Sequence, residues 1–264
     1  FHDFLKKIKN NHNIVISYEK DQDDEISADK YTEILLDKIS QIENCEKFQT
    51  ILIDEAQDLG EFNFYSLKST LPSATFSIFG DLAQSIYDYR GINSWEDVNN
   101  SMFKNNGNII NFNKSYRTTA EIMNVADDVA ESIGLGRSDL VVRHGEEVLV
   151  SEIEEEKNIP EYIGKRIIEY KEKGYKTIAV ISKTELLSNY INDDLAMLGI
   201  NIPNVSETDD LSDEKFRICT ISNQLAKGLE FDAVIINNAN ENIYSSSNPL
   251  DMKLLYVAVT RALH

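Results

Sequence analysis

Apolar and polar positions are patterned unevenly along this chain. Up to residue 50 the pattern is weak. Asp21-Gln22-Asp23-Asp24-Glu25 reads as a solvated acidic run, and only Tyr31 to Ile42, apolar at 31, 34, 35, 39 and 42, has the spacing of an amphipathic helix. Beyond residue 50, short apolar runs alternate with helical stretches. Strands are expected at 51–53, at 75–79 (ending on Gly80-Asp81), at 109–112, at 147–153, at 177–181, at 216–221 and at 232–236. Helices are expected near 62–71, closed by Pro72, and near 184–198. Another should run from a capping box at Thr118-Thr119-Ala120-Glu121 to about Ile133, where Gly134 ends it. A further helix should run from Asn158-Ile159-Pro160 to Lys173, stopped by Gly174, and a last one from Leu254 to Leu263. Strands alternating with helices indicate parallel α/β sheets. The polar, Gly-containing run Lys104-Asn105-Asn106-Gly107-Asn108 suggests a hinge between two domains, 1–105 and 106–264.

The strand at 51–53 leads directly into Asp54-Glu55-Ala56-Gln57-Asp58. Two adjacent carboxylates at the carboxyl end of a parallel strand sit where α/β folds bind phosphates. One of the two carboxylates can hold Mg²⁺, which takes hard oxygen ligands and bridges nucleotide phosphates, and its neighbour can then orient or deprotonate the attacking water. Without further motifs the same pair is a solvated strand end.

Composition narrows the setting. At 264 residues and 42 % hydrophobic, the chain can build two modest cores. No apolar run approaches the roughly 20 residues needed to cross a bilayer, and the start, Phe1-His2-Asp3-Phe4-Leu5-Lys6-Lys7, lacks the apolar stretch of a signal peptide. Cys45 and Cys219 lack metal-ligand spacing and read as buried residues of a reduced, cytoplasmic protein. With 45 acidic against 26 basic residues the net charge is −19, which works against tight binding of nucleic acid except in a local basic groove.

Three further segments carry chemistry. In Gly80-Asp81-Leu82-Ala83-Gln84-Ser85-Ile86-Tyr87-Asp88-Tyr89-Arg90-Gly91, Gln84 can hydrogen-bond a terminal phosphate or its attacking water, and Tyr87 and Tyr89 can stack on nucleobases. Isolated tyrosines are more often core residues. Tyr116-Arg117, just before a capped helix, offers an aromatic face and a cation for a phosphate; a surface ion pair is the plainer role for Arg117. Arg261 lies in the otherwise apolar run 254–263, where a buried guanidinium needs a partner, either a structural carboxylate or a phosphate.

In this order, these segments resemble the UvrD/Rep-like superfamily 1 helicases. Asp54 to Asp58 is similar to the family's Walker B element, Gly80 to Gly91 to its third motif and Tyr116-Arg117 to its fourth. Lys227-Gly228-Leu229-Glu230-Phe231 is similar to the fifth, and Tyr256 to Ala262 to the sixth. The resemblance implies two RecA-like parallel-sheet domains flanking a nucleotide cleft, with ATP and Mg²⁺ as cofactors. It implies that Asp54 holds Mg²⁺, Glu55 activates water, Gln57 and Gln84 sense the γ-phosphate, and Arg117 and Arg261 act as arginine fingers. Tyr116 would stack on adenine, Lys227, Gly228 and Glu230 would contribute to nucleotide binding, and Tyr87, Tyr89 and Arg90 would lie on the path of single-stranded DNA.

Two departures qualify the resemblance. The P-loop pattern G-x-x-x-x-G-K-[ST] is absent: Gly164-Lys165 has Ile159 in place of the first glycine and Arg166 after the lysine. In the family that loop precedes the Walker B strand, so an amino-terminal part of the same protein is expected to lie outside this sequence, and the fragment alone should be inactive. Gln224 stands where many relatives have a histidine. The stretch between Arg117 and Lys227 is also too short for the large inserted subdomain of processive unwinding enzymes. That compactness and the acidic charge are similar to the RNA polymerase-associated helicase D branch. The expectation is therefore an ATP-dependent DNA translocase or helicase, with an RNA polymerase-remodelling factor as the alternative and no membrane partner.

Overall fold

The computed structural model describes residues 48–86, 91–92, 94–112, 114, 116–139, 143–210 and 213–264. The expected helix at 31–42, the acidic run at 21–25 and Cys45 lie outside the described residues. The chain forms two compact units, one holding the described residues up to 82 together with 91–109, the other 83–86 together with 110–264.

In the first unit, β1 (Thr50–Ile53) pairs in parallel with β2 (Thr75–Ile78), Leu52 opposite Ser77 and Ile53 opposite Ile78. Two helices, α1 (Glu61–Thr70) and α2 (Trp95–Phe103), pack on the sheet. Phe64, Val98, Met102, Ala56 and Ile92 form the core between them, flanked by Ile53, Phe76, Ile78 and Trp95. The alternation of β1 puts Ile51 and Ile53 partly inside, while Leu52 is 70 % exposed. The sequence did not signal α2, whose Ser94 cap accepts from the Asp97 N–H. The expected hinge at 104–108 is folded onto this helix. Lys104 and Asn105 turn through positive φ, and the Asn99 side chain grips Gly107 at both its N–H (2.9 Å) and its carbonyl (3.1 Å). The two units divide at 109–110 and at 82–83.

The second unit begins with α3 (Ala120–Ser132) and α4 (Ile159–Glu172), followed by β3 (Ile178–Ser182), α5 (Glu185–Met197), β4 (Ile218–Ser222) and the short α6 (Asn223–Ala226). It closes with β5 (Ala233–Ile236) and α7 (Pro249–Val259). The sheet is parallel, in order β4-β3-β5, with every residue of central β3 buried. Alternate residues serve two faces. Ile178 and Val180 meet Ile163 and Ile167 of α4 and Ile191 and Leu195 of α5, whereas Ala179 and Ile181 join Cys219, Ile221 and Ala258 on the side of α7. Each fully buried Ile or Val contributes about 1.5–3 kcal/mol. Helix α3 lies outside α7, with Ile122, Met123, Ala126 and Ala130 against Tyr256 and Val259. Cys219 is free and fully buried, and burial pushes its thiol up to about 12, so it is inert packing.

Several sequence expectations fail for physical reasons. Residues 109–112 and 147–153 form no strand; Phe112 is 83 % and Val150 92 % exposed, and among the described residues no neighbouring strand takes up their backbone groups. The final helix starts earlier and stops at Val259. The chain beyond it leaves the helix because Phe231 N–H donates to Arg261 O (3.0 Å) and Leu263 N–H to Phe231 O (2.9 Å), a parallel bridge that replaces further helical turns. The capping box is also displaced. Thr119 is the cap of α3, and Glu121 turns away to the His144 ring (2.9 Å) and the Gly145 N–H (2.8 Å).

Two measurements check these local structures. A Cβ on Gly80 would lie 2.4 Å from Gln57 Oε1 and 2.9 Å from the Trp95 ring, so Gly80→Ala should destabilise the first unit by about 1–3 kcal/mol in urea unfolding. An unchanged midpoint would mean that the close approach relaxes freely. The His144 ring, then the Gly145 N–H, hold the Glu121 carboxyl down at about 2. A lowered carboxylate stabilises the fold above its unfolded value near 4.5, and that contribution fades as pH falls towards 2. His144→Ala should raise the Glu121 midpoint seen by carbon-detected NMR, and a midpoint unmoved by the substitution would assign the shift elsewhere.

Candidate functional site

In the first unit the site grows out of the end of β1. Phe79 N–H donates to Ile53 O (2.8 Å) and Ala56 N–H donates to Phe79 O (2.9 Å), so the ladder to β2 fixes the backbone on both sides of Asp54-Glu55. Glu55 takes a left-handed conformation (φ 51°, ψ 36°), a geometry that costs a non-glycine residue about 1 kcal/mol or more. The turn aims both carboxylates outward, and both residues are exposed. Asp54 Oδ1 accepts from the Glu55 N–H at 2.9 Å. Its second oxygen suits a cation of the kind that keeps most of its other ligands as water and phosphate. Among the described residues no cluster of three or more His, Cys, Asp or Glu could hold a metal.

Gln57, expected to sense the γ-phosphate, is held in the interior of the first unit. It is 1 % exposed, with its Nε2 donating to Glu55 Oε2 (2.6 Å) and its Oε1 accepting from the Asp81 N–H (3.0 Å). It braces Glu55 against the segment after β2. Gly80 is small because Gln57 and Trp95 crowd its α-carbon. Neither the burial of Gln57 nor the pairing with Asp81 had a signal in the sequence, since a glutamine reads the same whether it faces inward or outward.

In the second unit, residues far apart in sequence converge. Arg261 is 1 % exposed. It does not lie on the helix, and its guanidinium is met by neutral oxygens: Nε donates to Val257 O (3.1 Å), Nη1 to Leu229 O (3.2 Å), Nη2 to Gln84 Oε1 (3.1 Å) and Thr260 Oγ1 (3.2 Å). Carbonyl, amide and hydroxyl oxygens are thus among the partners of this buried cation. Lys227 Nζ donates to Gln84 O (2.8 Å), so Gln84 is held by its backbone and its side chain at once. Gly228 has φ 80°, where an L side chain would be strained. Arg117 is more than half exposed and pairs with Glu230 at 2.7 Å, and Tyr116 is 75 % exposed. Tyr87, Tyr89 and Arg90 lie outside the described residues.

An ion pair missed by sequence reasoning lies at the carboxyl end of β3. Lys183 Nζ contacts Asp251 Oδ1 (2.7 Å), with Asp251 6 % exposed and its Oδ2 accepting from the Ser245 N–H. An acidic residue in the first turn of the apolar run 249–259 was the available signal.

Family comparisons account for most of the chain. Residues 6–96 match the UvrD/REP helicase N-terminal domain, and residues 110–212 and 217–264 match UvrD-like helicase C-terminal domains. The chain belongs to the UvrD/Rep-like superfamily 1 helicases. As a UvrD-like chain it is 27 % identical over 157 residues to the ATP-dependent DNA helicase PcrA of Staphylococcus aureus, covering 56 % of this chain and 21 % of that protein. It is 24 % identical over 155 residues to a probable DNA helicase II homolog of Mycoplasma capricolum, covering 56 % of this chain and 22 % of that protein. The chain thus spans about a fifth of the length of the curated relatives it matches. A crystal structure described as the C-terminal domain of a possible DNA helicase from Lactobacillus plantarum superposes with a TM-score of 0.45 at 26 % identity, covering 57 % of this chain and 83 % of that one. Among the described residues of this UvrD-like chain no helix is long and apolar enough to cross a membrane.

The two arginines should differ in what they contribute to folding. Arg261→Ala leaves buried carbonyls and an amide without their donor and opens a cavity, so it should destabilise the second unit by about 2–4 kcal/mol. Arg117→Ala removes a solvent-exposed pair and should cost under about 1 kcal/mol. Equal shifts in thermal unfolding for the two variants would contradict this distinction.

Proposed function

We propose that this chain is the motor portion of an ATP-dependent DNA helicase or translocase, coupling ATP hydrolysis to movement on single-stranded DNA. One observation carries the reading. Gln84, Lys227 and Arg261, from the third, fifth and sixth motifs, are joined within one unit by hydrogen bonds of 2.8 and 3.1 Å. A surface ion-pair role for these residues would not bring a buried guanidinium onto a glutamine amide. The Asp54-Glu55 pair, held in a defined turn, supports the same chemistry.

In this reading ATP is the phosphoryl donor, and Asp54 would hold a Mg²⁺ ion, which would supply positive charge beside its phosphates. Glu55 accepts the proton of the attacking water, and Gln57 keeps its carboxylate aimed. Arg261 and Gln84 meet the γ-phosphate, Arg117 adds a second cation, Tyr116 covers the adenine, and Lys227, Gly228 and Glu230 hold the nucleotide. Tyr87, Tyr89 and Arg90 take the DNA. We further place the protein in the cytoplasm, where a free thiol such as Cys219 persists. The net charge of −19 favours a second reading, in which the intact protein binds RNA polymerase, its acidic field competing for a basic channel.

The intact protein should hydrolyse ATP with stimulation by single-stranded DNA and lose that activity in Glu55→Gln. This chain alone, lacking a P-loop pattern, should not turn ATP over. Arg261→Lys keeps the charge but loses the planar fork, and should lower turnover about 10²-fold or more. A loss of only a few-fold would make Arg261 a structural residue. Retention on immobilised RNA polymerase without appreciable DNA binding at physiological salt would move the assignment to the second reading.

A further inference from the structure

Arg117 and Arg261 stand on backbone that is neither helix nor ladder strand, so their placement has to come from other bonds. The segment after Arg261 is extended, and successive carbonyls point to opposite sides. On one side Arg261 O accepts from the Phe231 N–H (3.0 Å), tying it to Glu230's neighbour. On the other side Ala262 O accepts from Thr118 Oγ1 at 2.9 Å. Thr118 directly follows Arg117, is 3 % exposed, and makes this bond between buried groups, out of competition with water. A second contact to the same segment, Arg143 Nη1 to Arg117 O at 3.1 Å, is exposed and correspondingly weaker.

From this geometry we infer that Thr118 is a positioning residue for ATP hydrolysis, its hydroxyl fixing the spacing between Arg117 and Arg261. The inference rests on the helicase reading above. Thr118 touches no nucleotide in this scheme; it acts through the two arginines. Its Cβ branching restricts χ1, so the hydroxyl is directed before any ligand arrives. Without the bond the chain at Arg117 loses its buried link to the sixth motif, and two cations that must meet one phosphate drift independently. Small misplacements of this kind cost rate more than binding.

The test uses the intact protein and compares Thr118→Val, which keeps the shape and loses the donor, with Thr118→Ser, which keeps the donor. Valine should lower kcat for DNA-stimulated ATP hydrolysis about tenfold or more, with KM for ATP held within about twofold, and serine should stay close to the unsubstituted protein. In an Arg261→Lys background, valine should add less than about twofold, because both changes remove one function. A full multiplicative loss in that background, or an equal loss with serine, would show a merely structural role and overturn the inference. Should the valine variant lack a cooperative melt, Thr118→Ala read against Thr118→Ser makes the same comparison. Full turnover in Thr118→Val overturns this inference alone. Absence of ATP hydrolysis in the unsubstituted intact protein overturns the helicase reading and the inference with it.

Discussion

A guanidinium taken out of water must find an oxygen for nearly every N–H, and in the second unit that demand falls on Arg261. Its partners come from three separate parts of the chain: the end of α7 at Val257, the loop before β5 at Leu229, and Gln84 from a segment that leaves the first unit. Each partner is thereby fixed in position. The exit from α7, the loop that holds Gly228 and the segment carrying Gln84 all meet at this one buried cation. Removing an arginine of this kind exposes several unmet acceptors at once, which makes the site and the fold inseparable here.

The first unit solves the opposite problem. There the groups to be held are two exposed carboxylates, and carboxylates in water wander unless something behind them is rigid. The left-handed turn at Glu55 is held by ladder bonds to Phe79 on either side and by the buried amide of Gln57 from beneath. Gln57 can serve because one end of its amide donates to Glu55 while the other accepts from Asp81. Gly80 leaves room for that arrangement. Placing strain at the end of a strand and supporting it with an internal hydrogen bond yields a fixed carboxylate without burying its charge.

What the sequence revealed follows from where the physics is local. Central β3 is legible because a strand buried on both faces must be continuously apolar, and Ile178-Ala179-Val180-Ile181 is. Residues 147–153 alternate like a strand but are not one, because alternation describes which side chains could be covered and says nothing about a neighbour to take the backbone bonds. The carboxylate pair could be read from adjacency at a strand end. The inward turn of Gln57, the departure of the chain from α7 before Arg261, and the bond from Thr118 to a carbonyl 144 residues away could not, since each is decided by a partner remote in sequence.

The two arginines that resemble fingers are therefore not equivalent. Arg117 holds an exposed carboxylate, Glu230, in a pair worth at most about 1 kcal/mol once water and salt have screened it. Under the proposed helicase function, a triphosphate, with more charge and more acceptor oxygens than one carboxylate, would displace Glu230 from that guanidinium at little cost. Arg261 is held from several sides by Val257 O, Leu229 O and Gln84 Oε1 and is closed off from solvent. Its guanidinium is pre-set, one N–H already given to the amide oxygen of Gln84. One arginine is thus adjustable and the other fixed. The buried hydroxyl of Thr118 ties the backbone of the adjustable one to the fixed frame while leaving its side chain free to change partner.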